Sequence, residues 1–126
     1  MVDGGYDALV AAGVPTVKGA AAYTPADVTV AAIDETHVIN TDALVADYDS
    51  FKVVDVRADE EYDGGTLYGE VKGGHLPGAI HIRFTDLFNE DCTLKSNDEI
   101  SAMFEEAGIA KTDKIVTYCT AGIRSA

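Results

Sequence analysis

The sequence contains no tryptophan, only three prolines and only two cysteines, Cys92 and Cys119. Two cysteines cannot supply the disulfide framework of a small secreted domain. Their spacing relative to the histidines fits no zinc-binding pattern. We therefore expect a fold that needs neither disulfide nor metal, and nothing in the sequence indicates a cofactor.

Basic residues are also scarce, with 9 Lys and Arg against 22 Asp and Glu, which leaves a net charge of -13. Such a charge repels polyanions and argues against nucleic acid or an anionic membrane as a partner. No apolar run approaches the roughly 18 residues of a membrane helix, and the start of the chain lacks the pattern of a signal peptide. We expect a soluble, cytoplasmic protein.

Apolar residues make up 47% of the 126 residues, enough for one hydrophobic core. The beginning of the chain differs from the rest: one short apolar helix is predicted at residues 6–12, followed by a stretch rich in Gly and Ala. We interpret residues 1–22 as the tail of a preceding unit plus a linker, and residues 23–126 as one domain.

Strand and helix patterns alternate through residues 23–126. Strands are predicted at residues 28–33, 51–57, 79–82 and 114–119, and helices at residues 40–48 and 59–62. The β-branched run "FKVVDVR" lacks clean alternation, which is typical of a strand covered on both faces. This order predicts an α/β fold with a parallel sheet and helices on both of its faces.

The strongest helix signal begins at Ser96. "SNDE" is a capping box, an apolar stripe follows it, and Gly108 supplies the stop. The stripe consists of Ile100, Met103, Phe104 and Ala107. We interpret it as core packing.

Polar residues end two of the predicted strands, in "VVDVR" and "TYC". Sites in open parallel sheets form at the carboxyl ends of strands. Cys119 lies where a strand turns toward a helix, and Gly122 allows a tight turn whose N–H groups favour a thiolate. Cys119 is thus a candidate nucleophile, and the alternative is a small buried apolar residue.

The loop from Cys119 to Arg124 has the spacing Cys-x4-Arg. Cysteine phosphatases have one more residue between the two, enough to surround a phosphate, so the shorter loop favours a sulfur atom attached to the cysteine. A phosphatase or arsenate reductase remains a less favoured alternative.

The chain resembles the rhodanese, or sulfurtransferase, family. The resemblance rests on "VVDVR", "EEY", "GHLPGAIHI", "FNEDCTLKSNDEISAMFEEAGI" and "IVTYCTAGIRSA", in this order over residues 23–126. The long spacer between "EEY" and "GHLPG" resembles the second, catalytic domain of two-domain thiosulfate or 3-mercaptopyruvate sulfurtransferases. "GGYDALVAAGVP" resembles the closing helix of a preceding rhodanese domain.

The resemblance implies that Cys119 takes sulfur from a small donor as a persulfide and passes it to cyanide or a thiol. It implies that donor and persulfide are bound by the loop and by one residue of "EEY": Thr120, Ala121, Gly122, Ile123, Arg124 and Glu61. Asp55 and Arg57 would support the site, either by contact with substrate or as an ion pair that holds the loops. A non-catalytic module for protein binding or sulfur relay is the alternative function.

Two further residues receive no catalytic role. His75 lies among glycines and a proline in a predicted turn, and we interpret it as structural. Cys92 lies in a polar stretch and is interpreted as an incidental thiol.

The sequence departs from the resemblance in two ways. Thiosulfate enzymes of the two-domain type usually have basic residues where this chain has Glu61 and Ala121, so that Glu61 is expected to repel thiosulfate and Arg124 to be the only cation in the loop. The resemblance also implies a further helix and strand after the loop, and we expect a truncated domain whose open sheet is covered by self-association or by the helix at residues 6–12.

Overall fold

The computed structural model describes residues 2–32 and 34–126. Its helices are α1 (Gly5–Ala11), α2 (Thr41–Ala46), α3 (Asp59–Tyr62) and α4 (Asn97–Glu106), and its strands are β1 (Phe51–Asp55), β2 (Ile80–His81) and β3 (Lys114–Tyr118). Two 3-10 turns, Tyr48–Ser50 and Phe84–Leu87, precede β1 and follow β2.

The three strands form one parallel sheet in the order β2-β1-β3. Asp55, the last residue of β1, is in register with His81 of β2 and with Tyr118 of β3. The three strands therefore end at the same edge of the sheet. The predicted α/β class with a parallel sheet is confirmed.

The core lies around the central strand. Val53 and Val54 of β1 and the following Val56 are buried, as the unbroken β-branched run predicted. The predicted stripe of α4 packs here, with Met103, Phe104 and Ala107 against the cluster of Val54, Val56, Ile82 and Ile109.

Both ends of α4 are formed by local hydrogen bonds. The predicted capping box is present: the Glu99 N–H donates to Ser96 Oγ at 3.3 Å, and the Ser96 N–H donates to Glu99 Oε2 at 2.9 Å. At the other end, Gly108 has φ +80°, and the N–H groups of Gly108 and Ile109 donate to Glu105 and Phe104 carbonyls. This is a Schellman ending, and it turns Ile109 into the core.

The strand predicted at residues 28–33 is wrong over its described part. Residues 28–32 form no regular structure, Val28 and Val30 are 81% and 71% exposed, and Ile33 lies outside the described residues. A β-branched run becomes a strand only when a neighbour accepts its backbone hydrogen bonds, and none pairs with the described residues of this run.

The helix predicted at residues 40–48 is shorter than expected. Asn40 caps α2 by accepting from the Ala43 N–H at 2.9 Å, but the helix ends at Ala46. Leu44 and Tyr48 are partly buried, whereas Val45, predicted on the same face, is 69% exposed.

The helix predicted at residues 6–12 is present as α1, but it buries no residue. The turn before it is held by a hydrogen bond from the Leu94 N–H to Asp3 Oδ1 at 2.8 Å. Its anchor is thus the loop before α4, and α1 contributes nothing to the described core. The assignment of residues 1–22 to a preceding unit stays a prediction.

Among the residues that the structure describes, no helix has both the length and the apolar character needed to cross a membrane.

Candidate active site

The site is built where β1 and β3 end side by side. The hydroxyl of Tyr118 donates to Asp55 Oδ2 at 2.6 Å and accepts from the Leu76 N–H at 3.0 Å. Burial, followed by the Asp55 carboxylate, raises the pKa of Tyr118 to about 12, so the hydroxyl stays protonated as a donor. These bonds hold the residue before Cys119 against the neighbouring strand.

Asp55 and Arg57 form a buried ion pair directly after β1. Arg57 donates to both carboxylate oxygens of Asp55, and the shortest contact is 2.6 Å. Burial disfavours the charge of Asp55, but the bonds from Arg57 and Tyr118 outweigh it and lower the pKa of that carboxyl. Arg57 also donates to the Gly74 carbonyl at 2.8 Å.

The pair therefore joins β1 to the loop that precedes β2. Two roles were considered for Asp55 and Arg57: contact with substrate, or an ion pair that holds the loops. The structure contains the ion pair. Asp55 is fully buried and Arg57 is 6% exposed, so neither side chain presents a free surface to a ligand.

Cys119 lies immediately after β3 and is partly buried, and its sulfur contacts the backbone of the following turn. The Gly122 N–H donates to Cys119 Sγ at 3.1 Å, and the Ser125 hydroxyl donates at 3.7 Å. Gly122 has φ +80°, a conformation that side chains with a Cβ rarely adopt. The tight turn thus needs a glycine at this position.

The loop favours a thiolate at Cys119. Burial alone would raise the pKa of this thiol, because it penalises the charged form. Hydrogen bonds from the Ser125 hydroxyl and from the N–H groups of Ala121, Arg124 and Ser125 outweigh burial and lower the pKa of Cys119 to about 7. A substantial fraction of Cys119 is therefore present as the nucleophilic thiolate near neutral pH.

Glu61 and Arg124 form a second ion pair beneath the loop. Arg124 donates to Oε2 of Glu61 at 2.6 Å and to Oε1 at 2.8 Å. Thr120 Oγ1 donates to Oε1 at 2.7 Å, and the Ala58 N–H donates to Oε2 at 3.2 Å. The bonds from Arg124 are the main reason that the pKa of Glu61 falls to about 2, despite its burial.

This geometry changes the expected role of Glu61. Its side chain is fully buried, so in this structure it offers no surface to a donor and cannot repel one as an exposed charge. Instead, its carboxylate accepts hydrogen bonds from the guanidinium of Arg124 and from the hydroxyl of Thr120, and these bonds orient both side chains. Arg124, expected to be the only cation in the loop, has its charge compensated by Glu61.

The segment between α3 and β2 approaches the loop from the other side. The ring of Tyr68 lies 5.5 Å from the guanidinium carbon of Arg124, and Thr120 Oγ1 lies 3.4 Å from Glu70 Oε1. A Cβ on Gly73 would come within 1.8 Å of the Gly64 carbonyl oxygen, so only glycine permits this close approach at the base of the segment.

The other expected residues occupy different surroundings. Ile123 is 82% exposed at the tip of the loop. His75 stacks on Tyr62 at 3.8 Å, and its Nδ1 lies 2.9 Å from the Tyr62 carbonyl, as a structural role would place it. Cys92 is exposed, in the turn before α4.

The sequence interpretation missed two residues, Tyr118 and Ser125. Ser125 is the side chain that donates to the sulfur, and the serine directly after Arg124 was a usable signal, since hydroxyls commonly stabilise thiolates. Tyr118 was noted only as part of a strand. Within residues 2–32 and 34–126, no group of three or more Cys, His, Asp or Glu side chains is arranged to hold a metal.

Comparison with known proteins identifies the fold that carries this loop. The family model of the rhodanese-like domain matches residues 40–126, well over half of the chain. The chain belongs to the rhodanese-like domain family. The match includes β1, α3, α4, β3 and the cysteine loop.

Individual rhodanese-like relatives agree with this assignment. A protein of Mycolicibacterium smegmatis, provisionally named a thiosulfate sulfurtransferase, is 33% identical over 67% of this chain and 33% of its own length. Sulfur carrier protein TtuD of Thermus thermophilus is 39% identical over 58% of this chain and 28% of its own length. This chain thus spans about a third of these relatives.

Among solved structures, SseA from Escherichia coli is described as a 3-mercaptopyruvate sulfotransferase with the rhodanese fold. It is similar to this chain with a TM-score of 0.77 and 26% identity, over 98% of this chain and 46% of SseA. The rhodanese-like fold, and sulfur transfer as the general activity of the named relatives, are therefore well supported.

Proposed function

We propose that this chain is a sulfurtransferase domain in which Cys119 carries sulfur as a persulfide. The observation that supports this proposal most strongly is the set of donors around the thiol: the Gly122 N–H and the Ser125 hydroxyl both donate to Cys119 Sγ. The sulfur comes from a small donor such as thiosulfate or 3-mercaptopyruvate and passes to cyanide or a thiol.

The loop suits both halves of such a cycle. In the first half, the Cys119 thiolate attacks the outer sulfur of thiosulfate or the thiol sulfur of 3-mercaptopyruvate and forms a new S–S bond. The S–S bond of thiosulfate or the C–S bond of 3-mercaptopyruvate breaks, and the rest of the donor leaves with its electron pair, as sulfite or as the enolate of pyruvate. In the second half, the acceptor attacks the outer sulfur of Cys119 and releases the thiolate again. The N–H groups of Ala121, Gly122, Arg124 and Ser125 lie near the sulfur, where negative charge resides in both states.

In this proposal four residues position the cysteine loop and do not touch the donor: Asp55, Arg57, Tyr118 and Glu61. The Asp55–Arg57 pair and the Tyr118 hydroxyl hold the strand end that carries Cys119, and Glu61 holds the loop through Arg124 and Thr120. The residues of the loop that face the donor are Thr120, Ala121, Gly122, Ile123 and Arg124.

Mass spectrometry tests the proposal directly. After incubation with thiosulfate or 3-mercaptopyruvate, the chain is expected to gain about 32 Da, the mass of one sulfur atom, on Cys119. Cys119→Ser abolishes the gain, and Cys92→Ser is the matched control that retains it. No gain with either donor, or a gain on Cys92 alone, would contradict the proposal.

A sulfur-relay module without its own turnover is the second candidate. It is favoured by the pairing of Arg124 with Glu61, which leaves the charge of that cation compensated, and by the likeness to the Thermus sulfur carrier protein. Thiocyanate production from cyanide separates the two. The enzyme turns over many donor molecules per chain, whereas the relay module is loaded once and delivers sulfur only to a protein thiol.

A further inference from the structure

The charge balance beneath the cysteine loop is set by one buried residue. Arg124 lies between two negative groups, since Glu61 and then the Cys119 thiolate both raise its pKa. Glu61 takes two of its N–H groups, at 2.6 and 2.8 Å. Its carboxylate is fully buried and ionised, with a pKa of about 2.

The pair therefore presents almost no net charge to a molecule that approaches Cys119. The other two arginines near the strand ends are likewise paired: Arg57 with Asp55, and Arg83 with Asp59 and Asp86. Glu70 adds a carboxylate at the mouth of the loop, 3.4 Å from Thr120 Oγ1. A dianion would meet a compensated cation, a nearby carboxylate and a thiolate of its own sign.

We propose that Glu61 determines donor specificity: by neutralising Arg124 it directs Cys119 to sulfur donors with at most one negative charge, such as hydropersulfides, and away from dianionic thiosulfate. This inference rests on the proposed sulfurtransferase function. Glu61 acts through Arg124 and touches no donor itself.

The favoured reaction balances without any further reagent. The Cys119 thiolate attacks the outer sulfur of R–S–SH, the bond from Cys119 Sγ to that sulfur forms, and the S–S bond of the donor breaks. The products are Cys119–S–SH and the thiolate R–S⁻, which leaves with the electron pair. The proton stays on the transferred sulfur, and one negative charge is present on each side.

The test compares two donors, thiosulfate and 2-hydroxyethyl hydropersulfide, by the rate at which each loads Cys119 in the full chain. Glu61→Gln removes the compensating charge and leaves an amide that can still accept from Arg124. We expect this variant to speed thiosulfate loading about tenfold, with little change for the hydropersulfide. Glu60→Gln is the matched control, because it removes an exposed carboxylate from the preceding position of α3.

A double variant separates charge from packing. In Glu61→Gln with Arg124→Gln the pair is neutral again, so the ratio of the two loading rates is expected to return to that of the unaltered chain. An unchanged ratio in Glu61→Gln, or the same change in Glu60→Gln, would overturn the inference.

Direct competition needs no variant and decides the matter if Glu61→Gln fails to fold. The unaltered chain, offered both donors at equal concentration, is expected to load from the hydropersulfide at least several times faster. Equal or faster loading from thiosulfate overturns the specificity inference while it supports sulfur transfer. Loading by neither of these donors, and none by 3-mercaptopyruvate, removes the proposed function itself.

Discussion

Glu61 and Arg124 are 63 positions apart in the chain, yet they share two hydrogen bonds of 2.6 and 2.8 Å. The first residue belongs to α3, after β1, and the second to the loop after β3. Because β1 and β3 are adjacent and parallel, their carboxyl ends bring the two segments together. The ion pair thus joins the segments that follow the two strand ends, and it places a buried carboxylate against the arginine of the cysteine loop.

The ionisation of Glu61 makes stability depend on pH. Its pKa in the folded chain is about 2, against an ordinary value of 4.5, so its stabilising effect is complete above about pH 4.5 and is lost as the pH falls toward 2. Urea unfolding at about pH 6 and about pH 3 checks this. The difference in free energy of unfolding between the unaltered chain and Glu61→Gln is expected to shrink at the lower pH.

The control for this prediction is Glu60→Gln, which changes an exposed carboxylate on the same helix. It is expected to show a small effect at both pH values. A difference for Glu61→Gln that stays constant with pH would mean that the pair is not formed in solution.

The reactivity of Cys119 is expected to depend on the Ser125 hydroxyl. The rate of alkylation by iodoacetamide, measured in Cys92→Ser so that one thiol reports, should rise with pH around a midpoint near 7. Ser125→Ala removes a donor to the thiolate and should move the midpoint upward by up to about one pH unit. An unmoved midpoint would show that the backbone N–H groups suffice.

Tyr118→Phe tests the link between the strand ends. The change removes a partner from buried Asp55 and from the Leu76 N–H, so we expect a loss of about 1–3 kcal/mol in the free energy of unfolding. Tyr23→Phe is the matched control, since Tyr23 is 87% exposed. Equal effects of the two changes, measured by urea unfolding, would contradict the role of the Tyr118 hydroxyl.

Ser96→Ala tests the capping box of α4. The loss of the hydroxyl that accepts from the Glu99 N–H should cost about 1 kcal/mol of stability. Ser101→Ala is the control, because it makes the same change inside the helix, where alanine is the better helix former. Thermal unfolding followed by circular dichroism should give opposite directions for the two variants, and a similar loss in both would argue against the cap.

Local patterns predicted the elements that depend on local bonds. The capping box at Ser96 and the stop at Gly108 specify α4, because each hydrogen bond joins residues a few positions apart. The buried run of β1 was recognisable from its β-branched composition. The prediction of a strand at residues 28–33 was wrong over its described part, because a strand needs hydrogen bonds to a neighbouring strand. The composition of the run does not show whether such a neighbour exists.

In the site, too, the local features were predictable from the sequence and the features that depend on distant contacts were not. Cys119, Gly122 and Arg124 were identifiable because the turn that forms the thiol cradle is short and local. Ser125 was missed, although it lies only six positions after the cysteine, because its hydroxyl reaches the sulfur only once the turn has closed. Glu61 was identified as important but with the wrong environment, as its burial was not visible in a polar helix.

The sequence by itself determined α4, the buried run of β1, the candidate nucleophile Cys119 and the glycine that lets the turn close around it, because these depend on local geometry and on residue chemistry. Only the tertiary structure decided which charges meet. The register of β1 with β3 places Tyr118 on Asp55 and Arg124 on Glu61, over 63 positions in each case. Electrostatic interactions depend on distance and burial, and neither quantity exists until the parallel strands have paired.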